Sequence, residues 1–232
     1  MDDVIQEDRT TQVDNTSALI IVDVQYDFLP GGSLAIENGD KIIKPINKIV
    51  PLFQNVIVTQ DWHPKGHVSF ASSHKAGLFQ PFDVIEVINE VSGNPIEQML
   101  WPDHCVQGSK GAKIHKSLKV DNARLILRKG IHKNLDSYSA LFENDEYTPT
   151  GLQEYLHELG VTNLFICGLA TDYCVLFTAL DALAQSFSVI IINDCVAGVD
   201  EWTSAQAIQN ILNDGGLLTN THMMLRDNKK GE

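Results

Sequence analysis

Basic residues are scarce in this chain: 17 Lys and Arg stand against 30 Asp and Glu, a formal net charge of −13. A surface of that sign repels nucleic-acid phosphates and anionic lipid headgroups, so the natural partner is small or neutral, not nucleic acid or membrane. Long apolar runs are missing as well. The longest, such as residues 18–22 and 189–192, fall far short of the roughly 20 residues that cross a bilayer. Residues 1–15 are acidic and polar and lack the basic start, apolar middle and small-residue cleavage site of a secretory signal. A soluble cytoplasmic protein is expected. Cysteine is sparse too. Cys105, Cys167, Cys174 and Cys195 are widely spaced, with no C-x-x-C pair and no disulfide framework, which predicts reduced thiols. Most of them can be ordinary buried small hydrophobes, so a catalytic role for any one must rest on its local setting. There is no internal repeat, low-complexity tract or linker to mark a domain boundary.

What is present is a chain of 232 residues, 44% hydrophobic, enough for one sizeable core and short for two. A single domain is expected over residues 18–225, between a polar N-terminal extension at 1–17 and a polar tail at 226–232. Brief β-branched runs at 18–24, 56–60, 125–127, 164–167, 189–193 and 217–219 read as strands. Between them lie apolar residues at helical spacing: Ile42, Ile43, Ile46, Ile49 and Val50; Leu152, Tyr155, Leu156 and Leu159; Ala207, Ile208, Ile211 and Leu212. Gly160 and Gly215 are placed to stop two of these helices. The alternation predicts an α/β fold: a three-layer α/β/α sandwich around a six-stranded, mostly parallel sheet. Residues 64–107 break the rhythm and are expected to form a loop excursion that covers the pocket as a lid.

Loops leaving the carboxyl ends of parallel strands converge on one rim, where ligands bind. Asp23 ends the first strand, Asp61 and His63 follow the second, Lys129 follows the third, and Gly168-Leu169-Ala170-Thr171-Asp172-Tyr173-Cys174 leaves the fourth. Cys174 is expected in the first turn of a helix, where free N–H groups and the helix dipole favour a thiolate and can hold an oxyanion. A cysteine that attacks an amide needs a group to take its proton and return it to the amine, and a carboxylate beside a cation can do so. Asp23 and Lys129 fit, although the first can also be a turn cap and the second a solvated lysine. Asp61-Trp62-His63 and His104 read as three metal ligands with positions left open, and His67 is a further ligand or a hydrogen-bond partner to one. Imidazole and carboxylate donors suit one divalent ion: zinc foremost, iron or manganese as alternatives.

In order along the chain, Asp23-x-Gln25-x-Asp27-Phe28, Asp61-Trp62-His63-Pro64, Trp101-Pro102-Asp103-His104-Cys105-Val106, Lys129-Gly130 and the segment from Gly168 to Val175 resemble the motifs of the nicotinamidase (pyrazinamidase) family of isochorismatase-like cysteine hydrolases. The resemblance spans residues 19–216. It implies the isochorismatase-like fold and conversion of nicotinamide and water to nicotinate and ammonia through a thioester, in NAD salvage, with pyrazinamide as a further substrate. It implies Asp23 as acid/base, Lys129 as its charged neighbour, Cys174 as nucleophile, and Asp61, His63 and His104 as metal ligands. It further implies an oxyanion hole from the N–H groups of Ala170 and Cys174, a cis Leu169–Ala170 peptide, and Phe28, Trp101 and Tyr138 around the pyridine ring. Tyr26 departs from the family, where a smaller polar residue is common. Two enzymatic alternatives stay open: an amidase of the same superfamily with another small substrate, and a metal-hydroxide hydrolase in which Cys174 is structural. A non-catalytic binding module is the third. Assembly into a homo-oligomer is compatible with all of them.

Overall fold

A computed structural model of the chain describes residues 12–75, 77–89 and 92–229. All six expected strands form, as β1 (Ser17–Val22), β2 (Asn55–Asp61), β5 (Leu125–Lys129), β6 (Asn163–Leu169), β7 (Ser188–Ala197) and β8 (Leu217–Thr219). They make one sheet in the order β5-β2-β1-β6-β7-β8, with every pairing parallel. The period of two in each strand divides the core. Leu19, Ile21, Val56, Val58, Phe165, Cys167, Ile190 and Ile192 pack on one face, while Ala18, Ile20, Val22, Ile57, Leu164, Ile166, Val189 and Ile191 pack on the other.

The first face is covered by α1 (Ile43–Ile49), through Ile43, Ile46 and Ile49, and by Met224 of α5 (Thr221–Asp227). Leu152 and Leu156 of α2 (Leu152–Glu158), Ala179 and Ala182 of α3 (Leu176–Ala184) and Ile211 of α4 (Glu201–Asn213) cover the second. These are the three expected layers. The periodic residues are the buried ones, and Gly160 and Gly215 stop their helices at φ of 69° and 95°, in the left-handed region that glycine adopts freely. α5 lies where the sequence pattern stops short: its apolar content, Met223, Met224 and Leu225, is one turn long. The expected N-terminal extension lies outside the described residues up to position 11. Ser17 already belongs to β1.

Among the described residues, 64–107 hold no α-helix, in keeping with the sequence, but they are not wholly loop. β3 (Val84–Ile88) and β4 (Pro95–Met99) pair antiparallel in a hairpin. Its two faces are only partly covered, so Glu86 and Glu97 sit opposite each other and blur the alternation that would announce a strand. The excursion is fastened to the body by backbone bonds, among them Val68 N–H to Lys133 O at 2.8 Å and His63 N–H to Cys105 O at 3.1 Å.

Strand order reverses between β1 and β6: β2 and β5 lie to one side of β1, and the chain then returns to its other side. A crevice opens at the carboxyl ends where such a reversal occurs. Gly168 makes the approach of β1 and β6 there close. A Cβ on it would fall 2.1 Å from Val22 O.

Candidate active site

The sheet delivers Asp23, Asp61, Lys129 and Cys174 to the crevice from β1, β2, β5 and the turn after β6, and all four are buried. Lys129 is their common neighbour. Its Nζ donates to Asp61 Oδ1 at 2.6 Å, Ser137 O at 2.9 Å and Cys174 Sγ at 3.3 Å, which engages all three protons of the ammonium. Asp23 Oδ2 lies 2.9 Å from the same nitrogen as an ion pair but receives no well-directed hydrogen bond. Its other oxygen is satisfied, since Thr59 Oγ1 donates to Oδ1 at 2.6 Å. Asp23 has φ of 49°, an uncommon conformation for a residue with a side chain and one often kept at functional positions. One oxygen is thus left open to accept a proton, and a carboxylate oxygen of Asp23 comes within 4.8 Å of Cys174 Sγ.

Electrostatics separate the two carboxyls. Burial raises Asp23 to about 6 against the pull of Lys129. Asp61 is buried too, but Lys129 and then His63 outweigh that and hold it well below the carboxylate range. Lys129 is pushed far up: burial opposes its charge, and Asp23 and Asp61 more than compensate. For Cys174 the expected thiolate does not hold in the resting site. Burial drives the thiol well above its ordinary value, with Asp23 and Asp61 adding to it, and Lys129 only partly offsets them. Cys174 does lie in the opening turn of a helix, as expected, but that turn, Thr171–Val175, is π-helical: Ala170 O accepts from Tyr173 N–H and Val175 N–H, and the turn runs straight into α3 at Leu176. The Leu169–Ala170 peptide is cis.

Asp61 also faces a second cluster. His63 Nε2 is 3.5 Å and His104 Nε2 3.9 Å from Asp61 Oδ2. Each ring has its other nitrogen fixed by a backbone carbonyl, His63 Nδ1 donating to Gly130 O at 2.9 Å and His104 Nδ1 to Pro102 O at 2.8 Å. Those bonds fix both rings so that their Nε2 atoms face the carboxylate. Burial opposes charge on His63, but Asp61 outweighs it and raises this imidazole. Burial lowers His104 to about 4, so it stays neutral, as a ligand must. Two imidazole nitrogens and one carboxylate oxygen therefore converge, and these donors fit zinc, iron or manganese. Gly130 is required at φ of 60° because a Cβ there would strike the His63 ring at 2.4 Å. His67 stands behind this set. Its Nδ1 bonds Ser69 Oγ at 2.7 Å, its Nε2 bonds Leu135 O at 3.2 Å, and its ring stacks on His63 with centroids 4.2 Å apart.

A cavity joins the two clusters, lined by Asp61, His63, His104, Ala170 and Cys174 together with Phe28, Trp101 and Tyr138. Tyr138 is placed by Trp101 Nε1, which donates to its hydroxyl at 3.1 Å. Leu34, Ile36 and Val199 also line it, so the wall is not made by the 64–107 excursion alone. The sequence reading missed several supports. Gln25 clamps β2 by accepting from Asp61 N–H and donating to Asp61 O, both at 2.8 Å. Asp27 accepts from Cys105 N–H at 2.7 Å. Tyr173 meets Trp101 edge-on at 4.7 Å. Thr59 carried a readable signal: two residues before Asp61 on one strand, it must share a face with it.

Fold and site together define a doubly wound α/β protein with a thiol, a lysine and a carboxylate at the switch point of its parallel sheet, the equipment of a cysteine-dependent enzyme. The family model for the isochorismatase domain matches residues 17–223. A nicotinamidase of Acinetobacter baylyi is 46% identical over 202 residues, 87% of this chain and 91% of the relative. One from Escherichia coli is 41% identical over 187 residues, 79% and 84% of the two chains. Among solved structures, an Acinetobacter baumanii nicotinamidase and pyrazinamidase has a TM-score of 0.84 at 44% identity, covering 90% of this chain and 98% of that one. A Pyrococcus horikoshii pyrazinamidase in complex with zinc has a TM-score of 0.70 at 33% identity, covering 88% and 99%. The chain belongs to the isochorismatase family and, within it, to the nicotinamidases.

Proposed function

We propose that the chain hydrolyses nicotinamide to nicotinate and ammonia, and pyrazinamide likewise, by covalent catalysis at Cys174. The observation that carries this reading is the Lys129 ammonium, within 3.3 Å of Cys174 Sγ and 2.9 Å of Asp23 Oδ2. Asp23 takes the thiol proton on its open oxygen as sulfur attacks the carboxamide carbon, while Lys129 stabilises the anionic sulfur in passing. The carbonyl oxygen, now an anion, is held by the N–H groups of Ala170 and Cys174. Asp23 returns the proton to the departing ammonia, which leaves a thioester. It then deprotonates a water that cleaves the thioester, restoring the thiol and releasing the acid.

Phe28, Trp101 and Tyr138 pack around the ring and exclude water. Asp61, His63 and His104 hold one divalent ion, and His67 supports His63 from behind. The ion, when bound, supplies a Lewis acid that anchors the ring nitrogen. No helix among the described residues is long and apolar enough to cross a membrane, and we place the activity in the cytoplasm, in NAD salvage. Incubation with nicotinamide, with ammonia and nicotinate followed together, tests the reading: the two products must appear in equal amounts. Failure on nicotinamide with turnover of another amide would reassign the substrate.

A further inference from the structure

Asp136 is a carboxylate that the reaction just described does not use. It is 2% exposed and lines the same cavity as His63 and His104. A carboxylate oxygen comes within 4.8 Å of a ring nitrogen of His63 and of His67, yet Asp136 is not gathered with Asp61 and His104 in the converging set. Its Oδ1 accepts from Ser137 N–H at 2.9 Å and its Oδ2 from Gln98 Nε2 at 3.0 Å. Both donors are neutral, and no Lys or Arg among the described residues pairs with it.

Three carboxyls, Asp23, Asp61 and Asp136, are buried around this crevice, and Lys129 is the one lysine buried with them among the described residues. Its ammonium pairs with Asp23 and Asp61 and not with Asp136. A carboxylate kept out of water without a cation beside it is costly. A divalent ion at the converging donors would supply that cation, and without Asp136 it would meet less attraction in a low-dielectric pocket.

We propose that Asp136 is a positioning residue for the metal, a carboxylate held just beyond the ligands that sets how tightly the ion is bound. This rests on the reading that Asp61, His63 and His104 are the ligands. Gln98 belongs to β4, so the carboxylate also touches the excursion hairpin, and the Ser137 N–H bond holds it when that contact is removed.

The test is zinc affinity of the metal-stripped full chain, measured by competition with a chromophoric chelator, with thermal unfolding of the same apo samples as the check on folding. Asp136→Asn is expected to bind zinc about 10–100-fold more weakly than the native chain, whereas Gln98→Met, which removes the hairpin bond but keeps the carboxylate, should stay within about threefold. Should the Asn variant not fold, Asp136→Ser carries the same expectation. Native affinity in the folded Asp136 variant would overturn the proposal. So would an equal loss in Gln98→Met, because the carboxylate would then serve only to dock the hairpin. His104→Ala separates the underlying reading: native affinity there would refute the ligand assignment, independently of what Asp136 does.

Discussion

Asp61 and Lys129 are joined at 2.6 Å, and through that bond the thiol–carboxylate cluster and the metal cluster become one charge network. Asp61 gives Oδ1 to the ammonium and turns Oδ2 to His63 and His104. Neither cluster can be altered without the other registering it.

Lys129→Met should therefore damage both. It leaves Asp23 and Asp61 buried without their cation, a loss of about 3–5 kcal/mol in stability. Turnover should vanish. Chemical denaturation and nicotinamide hydrolysis check the two halves; a stable, active variant would mean that the ammonium is dispensable.

Asp23 must be ionised to take the thiol proton, and burial holds it at about 6. Activity should thus be present above that value and lost as pH falls through it, with the acid limb of kcat/KM centred near it. Thr59→Val removes the donor to Asp23 Oδ1, disfavours the anion further, and should move that limb up by about one pH unit. An unmoved limb would assign it to another group. Asp23→Asn should fold and lose about 10²–10⁴-fold in rate.

Much of the crevice was legible because strand ends are legible. Asp23, Asp61 and Lys129 each close a β-branched run, and a parallel sheet carries such positions to one rim. What escaped depends on contacts between distant segments. That Asp61 serves both clusters is a matter of which way two oxygens point. Asp136 carries no signal of its own in the sequence, and the Gln98 that meets it lies on β4, whose alternation the paired glutamates obscure. The state of Cys174 was misjudged for a related reason: local sequence shows a turn before a helix, while complete burial beside two carboxylates is a tertiary effect that outweighs the lysine.

If the ion anchors the ring nitrogen, its removal, or His63→Ala, should weaken nicotinamide far more than benzamide, which lacks that nitrogen. Titrating Cys174→Ala with both amides, with and without metal, isolates binding from chemistry. Equal losses for the two would leave the ion another role.

The most direct measurement concerns the covalent intermediate. Wild-type chain mixed with nicotinamide, quenched in acid during turnover and digested, should yield a nicotinoyl thioester on the peptide that holds Cys174, while Cys174→Ala should show no adduct and lose at least about 10³-fold in rate. Substantial hydrolysis by the alanine variant would contradict the account, because the attacking group would then not be the sulfur.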